Sequence, residues 1–220
     1  MRKIVPIFLS VLVFFGCQKK EEATFSKYFD DGRAKPTIAL LPMKSNANPN
    51  LPWNVVQELE SSLKNELLQM AGLYVLGAEQ TENGIFNLNN TDLLSEKNTL
   101  HTSFHPAEFV VQLELIDHQE AELLQKGVQT SNSTDIAKVL NLKMRLMVVD
   151  IRSVTPKVIL HEIVEKEQLI DVAQKNTDYF QHGIGCVEYY KTPVFLAHRK
   201  VVLDLAHRVH EYILVAKSQQ

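Results

Sequence analysis

The sequence is poor in the residues that define several protein classes. Two cysteines in 220 residues exclude a disulfide-stapled scaffold. Eight glycines and eight prolines exclude collagen-like and low-complexity chains, and 45% hydrophobic residues exclude a wholly disordered one. Neither basic nor acidic residues predominate. With 23 bases against 26 acids the net charge is -3, which supplies no positive field for a nucleic acid. The phosphate-loop, Gly-x-Ser-x-Gly and His-Glu-x-x-His patterns are absent, so those chemistries lose support.

What is present starts with an address. Arg2 and Lys3 precede an apolar run, Ile4 to Phe15, broken only by Pro6 and Ser10 and followed by Gly16-Cys17. This is a secretory signal. Its 12 residues span roughly 18 Å as a helix, short of the ~30 Å hydrocarbon core. Cys17 after a small residue resembles the bacterial lipobox, with Phe14 where Leu is usual. The resemblance implies cleavage before Cys17, its acylation, and membrane attachment through the N-terminal lipid. Each buried methylene contributes ~0.8 kcal/mol, so two or three chains hold durably where one does not. Gln18, in place of an Asp, favours the outer membrane, with the protein facing the periplasm. Removing residues 1–16 leaves 21 bases and 26 acids, a mature charge of -5.

Residues 17–36 read as a lipid-anchored tether: mixed charge, few aliphatics, and Asp30-Asp31-Gly32. Its 18 residues from Lys19 to Pro36 reach at most about 60 Å and average near ~25 Å as coil. Phe25, Tyr28 and Phe29 within it are docking candidates or pack back on the domain.

Residues 37–220 form one α/β domain, expected to hold a mixed, mostly antiparallel sheet of about five strands packed by an N-terminal and a C-terminal helix. Thr37 to Met43, Leu73 to Leu76 and Phe109 to Asp117 are short apolar runs that predict strands. Asn50-Leu51-Pro52 opens a helix with its stripe at Val56, Leu59, Leu63, Leu67 and Met70 and its stop at Gly72. A short helix is expected near Thr91 to Lys97 inside the polar stretch from Gly77 to Pro106. Gln119 to Asp135 carries turn chemistry. Ile136 to Ser153 alternates, with Leu142, Met144, Leu146 and Val148 on one face, and a turn at Thr155-Pro156-Lys157 makes a hairpin with Val158 to Ile170. Asp171 to Lys191 is irregular, and Pro193 to Val215 closes the chain as an amphipathic helix.

The run Ile38-Ala39-Leu40-Leu41-Pro42-Met43, the helix after it, and Leu73-Tyr74-Val75-Leu76 resemble the opening of the domain shared by TolB (N-terminal part), CsgG and LpoB. Ala107-Glu108-Phe109-Val110-Val111 is similar to that family's entry into its third strand, and Leu146 to Arg152 to a later one. The resemblance implies a non-enzymatic envelope protein whose partners are other envelope proteins: a peptidoglycan synthase, a secretion channel or a Tol-type complex. It also admits self-association, as a homo-oligomer or as a subunit of a curli-type secretion channel, for which the Ile136 to Ile170 hairpin is long enough.

The candidate site residues are few. Trp53, beside Leu51 and Pro52, is a partner-binding candidate, or else staples the first helix to the sheet. Asp204, His207, His210 and Glu211 share the polar face of the last helix; His207 and His210 are weak metal candidates against a plain solvated face, and no cofactor is expected. His198 lies on the apolar side, where a hydrogen-bonded core histidine is the default. Gly183-Ile184-Gly185 lacks the strand and the acid that dinucleotide binding needs. Cys186, with His182 as base, gives a thiol-enzyme alternative that has no orienting third group. Glu120 and Glu122 in the expected turn, and Glu165 and Glu167 on one strand face, form no acid–base pair.

Overall fold

A computed structural model describes residues 26–87, 99–122 and 138–219. Cys17, Phe25 and the helix expected near Thr91 to Lys97 lie outside the described residues. The chain runs β1 (Thr37–Leu40), β2 (Lys44–Ser45), α1 (Val55–Gln69), β3 (Tyr74–Val75), α2 (Ala78–Asn87), α3 (Leu100–Ser103), β4 (Phe109–Glu122), β5 (Lys138–Asp150), β6 (Lys157–Ile170) and α4 (Pro193–Ser218). The sheet has six strands in the order β3-β1-β4-β5-β6, with β2 beside β4. Short β1, β2 and β3 join in parallel, and the three long strands are antiparallel.

Each helix forms where its caps and stripe agree. Asn54 accepts a hydrogen bond from the Gln57 N–H and starts α1, four residues after the expected Asn50. Leu59, Leu63 and Leu67 then recur on one face and are fully buried. Thr192 caps α4 with Pro193 in its first turn. Both helices lie on the same sheet face, against Leu113, Leu115, Leu142, Met144, Leu146 and Val148. A second cluster on the opposite face packs Leu100, Phe104 and Ile85 from the α2–α3 region over Ala39, Val110 and Val149.

The long strands set a direction for the molecule. At one pole the chain enters at Thr37, the β5–β6 turn projects, and the end of α4 is fastened by Lys217 to Glu108 (2.8 Å) and by Arg152 to the Ala216 carbonyl (3.0 Å). At the other pole β4 ends, β6 ends, residues 171–191 cross, and α1 and α4 begin. Residues 26–35 close a small turn through Lys35 N–H to the Lys27 carbonyl, with Gly32 at positive φ and Tyr28 exposed.

Two expectations need correction. β4 does not stop at Asp117: it runs to Glu122, so Glu120 and Glu122 are strand residues opposite Leu140 and Lys138, not turn residues. A bulge near Leu115–Asp117 and the polar run Asp117-His118-Gln119-Glu120 hide the alternation there. The Gly77 to Pro106 stretch contains α2, whose Gly84 lets the helix approach Phe104 and the Ser103 carbonyl.

Candidate functional site

The pole where α1 and α4 begin holds the densest polar and aromatic chemistry of the described residues. Glu58 sits one turn into α1, His198 on the inner face of α4, and His118 on β4 directly opposite Leu142 of β5. All three are buried. His198 Nδ1 hydrogen-bonds Glu58 Oε1 at 3.0 Å, and its Nε2 lies 2.9 Å from His118 Nε2. One of the two Nε2 atoms must therefore carry a proton and the other accept it. Trp53 Nε1 donates to Glu58 Oε2 at 2.7 Å, and the Tyr189 hydroxyl donates to Oε1. The Glu58 carboxylate thus has three donors from three separate segments of chain.

Electrostatics fit that geometry. Burial by itself raises the pKa of Glu58, yet the hydrogen bond and charge of His198, with the donors Tyr189 and Trp53, hold it below the ordinary carboxylate value. Burial, reinforced by His198, pushes His118 down to about 4, so it is neutral at neutral pH. Burial and the neighbouring carboxylate push the Tyr189 hydroxyl up. These hydrogen bonds tie α1, α4, β4 and residues 171–191 to one another and so brace this pole.

The brace supports a surface. Trp53 packs edge-on against Tyr189 (5.4 Å) and Tyr179 (6.0 Å), and Tyr190 against Phe195 (5.0 Å). Gly183 lies directly on the Trp53 ring, where a Cβ would come within 2.8 Å of it. Over this floor the 171–191 segment exposes Phe180 (87%), Val187 (74%), Tyr190 (59%) and Ile184 (51%). A groove of about 490 Å³ runs between Trp53, Tyr179, Phe180, Ile184 and Cys186. Four exposed apolar side chains on one 11-residue stretch are far more than scattered surface apolars require.

The sequence candidates fall as follows. Trp53 is half-buried: it staples α1 to the 171–191 segment and also forms the groove floor. His198 is the hydrogen-bonded core histidine expected. Asp204 is taken by Lys166 (3.0 Å) and Arg208 (3.3 Å), and His210 packs over Gly72, so the face expected to gather four metal-type side chains is divided. Among the described residues no three His, Cys, Asp or Glu side chains are placed to hold a metal ion. The Cys186 thiol donates to the Gly183 carbonyl at 3.0 Å, while His182 lines a different depression with Gln174, Asp178 and Glu188. The β5–β6 hairpin is built into the sheet with its apolar face under α4, so that face is not offered to lipid. No helix of the described residues is long and apolar enough to cross a membrane. Glu58, His118 and Tyr189 were not legible as a set. The available signal was a carboxylate next to the apolar stripe of α1 and a histidine inside that of α4.

A protein-family model described as a family of unknown function, DUF7499, matches residues 24–217. No curated protein matches the chain. Among solved structures, the hypothetical protein CT253 from Chlamydia trachomatis is similar, with 24% identity, a TM-score of 0.62, and coverage of 82% of this chain and 98% of that one. That likeness shows the fold. Solved structures with a resembling chain path include bacterial lipoproteins. Lipoprotein GNA1162 from Neisseria meningitidis is 16% identical, with a TM-score of 0.37 over 66% of this chain and 88% of that one. A minor lipoprotein from Acinetobacter baumannii is 13% identical, with a TM-score of 0.37 over 83% and 94%.

Proposed function

We propose that this chain, which belongs to the DUF7499 family of unknown function, is a lipid-anchored bacterial envelope protein that binds another envelope protein and catalyses no reaction. The observation that carries the proposal is the apolar strap of Phe180, Ile184, Val187 and Tyr190, held out from a braced aromatic floor at the pole opposite the chain entry. Burying such side chains in a partner supplies the driving force, and a floor fixed by Trp53, Tyr189 and Glu58 avoids the entropy of ordering it on binding. The signal-like N-terminal run, Cys17 with Gln18 after it, and the polar stretch that follows support attachment at the outer membrane, facing the periplasm.

The test is site-specific photo-crosslinking in the full-length protein in intact envelopes. A crosslinking residue at Phe180 or Ile184 should give one discrete adduct with a second envelope protein, and one at Val154 on the opposite pole should give none. Adducts at Val154 alone, or turnover of an envelope substrate that Cys186→Ser abolishes, would overturn the proposal. A ladder of multimers through the strap, together with stable pores in bilayers, would favour the channel-subunit reading instead.

A further inference from the structure

β6 is the outer strand of the sheet, 14 residues long, and among the described residues nothing pairs along its free edge. About half of its residues therefore turn their backbone N–H and C=O groups outward, and long exposed edges are normally interrupted or covered. We propose that β6 pairs antiparallel with β6 of a second copy of this chain, about a two-fold axis at Val164, to make one continuous sheet across a dimer.

Charge complementarity selects the occupant and the register. With the axis at Val164, His161 stands opposite Glu167 of the second copy, Glu162 opposite Lys166, Ile163 opposite Glu165, and Leu160 opposite Gln168. Each of these pairs occurs twice by symmetry. Moving the axis to Glu165 sets two Glu165 carboxylates face to face. Moving it to Ile163 sets Leu160 against Lys166 and Ile159 against Glu167. Like charges directly opposed destabilise a strand pair and opposite charges stabilise it, and of these three axes only that at Val164 opposes Glu162 to Lys166.

The helix above the edge supports the same axis. Glu162 pairs with Arg208, Arg208 with Asp204, and Asp204 with Lys166, a run of alternating sign that ends at both cross-axis positions. Joining Lys166 to Glu162 of the second copy closes this run and its symmetry mate into one ring of eight alternating charges. On the sheet face that bears no α1 or α4, Ile163 is 52% exposed, and β6–β6 pairing brings the two Ile163 side chains diagonally together across the axis. A poly-ionic foreign strand would have to repeat this spacing; a second copy has it already. The pairing runs the two chains in opposite directions, so the tethers leave at opposite ends of the shared sheet. Both tethers reach one membrane when the strands lie along it. The inference stands whether or not the proposed function does.

The experiment uses the full-length protein in detergent, in a Cys186→Ser background. Ile163→Cys with Glu165→Cys should oxidise to a disulfide-linked dimer, because directly opposed positions fall within disulfide reach. His161→Cys with Glu165→Cys, which opposes no pair in this register, should not. Independently, Glu167→Lys should raise the dimer dissociation constant roughly tenfold in sedimentation, and His161→Glu added to it should restore the wild-type value. Neither His161 nor Glu167 has an ion-pair partner among the described residues, so these changes leave the protomer's own network intact. A monomer at all concentrations, equal crosslinking of both cysteine pairs, a dimer indifferent to Glu167→Lys, or a disulfide to a different polypeptide would each overturn the proposal.

Discussion

Replacing His118 by Gln should flatten the acid side of the stability profile. The side chain is 8% exposed and its Nε2 meets the Nε2 of His198 at 2.9 Å. Burial and the charge of His198 lower its pKa from 6.5 to about 4, and Glu58 and Asp117 offset this only in part. Between those values the unfolded chain binds a proton that the folded chain refuses, so stability falls as pH falls, by at most ~1.4 kcal/mol per pH unit for one proton. The stability is intact above about pH 6.5 and the loss is complete below about pH 4. Integrated, it amounts to roughly 3 kcal/mol, a large part of a 5–15 kcal/mol total. Glutamine keeps a polar atom near the position of Nε2 and cannot titrate. Glu58 acts in a lower window: its lowered pKa gives stability present above its unfolded value and lost as pH falls below it. Urea unfolding of wild type and His118→Gln at several pH values from 7 to about 4.5 checks this. The wild type should lose most of that ~3 kcal/mol relative to the variant; parallel profiles would refute the buried neutral histidine.

Other outcomes follow from the packing and the anchor. Leu63→Ala and Leu146→Ala, at sites 1% and 0% exposed, should each cost ~2–5 kcal/mol in thermal or urea unfolding. Gly84→Ala should destabilise α2 by ~1–3 kcal/mol although alanine is the better helix former, because its Cβ would lie 2.4 Å from the Phe104 ring and 2.9 Å from the Ser103 carbonyl. A more stable variant in urea would refute that contact. Cys17→Ser should abolish labelled-palmitate incorporation and membrane attachment while the domain stays folded; unchanged labelling would refute the lipid anchor.

The fold was legible where periodicity is strong. Leu59, Leu63 and Leu67 on α1, and Leu142 to Val148 on β5, announce their buried faces because a single face of each element meets the core. It was illegible where both strand faces are polar, as from Gln119 to Glu122 at the tip of β4, and in α2, whose sequence Ala-Glu-Gln-Thr-Glu-Asn-Gly has little apolar stripe. The brace was hidden for a different reason. Glu58, His118 and His198 are 60 to 140 residues apart, and each alone looks like an ordinary polar residue. Only the parallel course of α1 and α4 over β4 brings them together. Trp53 showed through as an isolated aromatic at a helix start, but its edge-on contacts with Tyr179 and Tyr189 depend on the path of residues 171–191, which no periodicity encodes.

The strap at the braced pole can be tested by truncating it without disturbing the brace. Phe180, Ile184 and Val187 are 87%, 51% and 74% exposed, so the triple alanine variant should melt with the wild type. Its capture of the envelope partner identified by crosslinking should fall at least ~30-fold, as expected when a central apolar anchor worth ~2 kcal/mol or more is removed. Capture at wild-type strength by a variant with an unchanged melt would contradict the assignment of this pole as the binding surface.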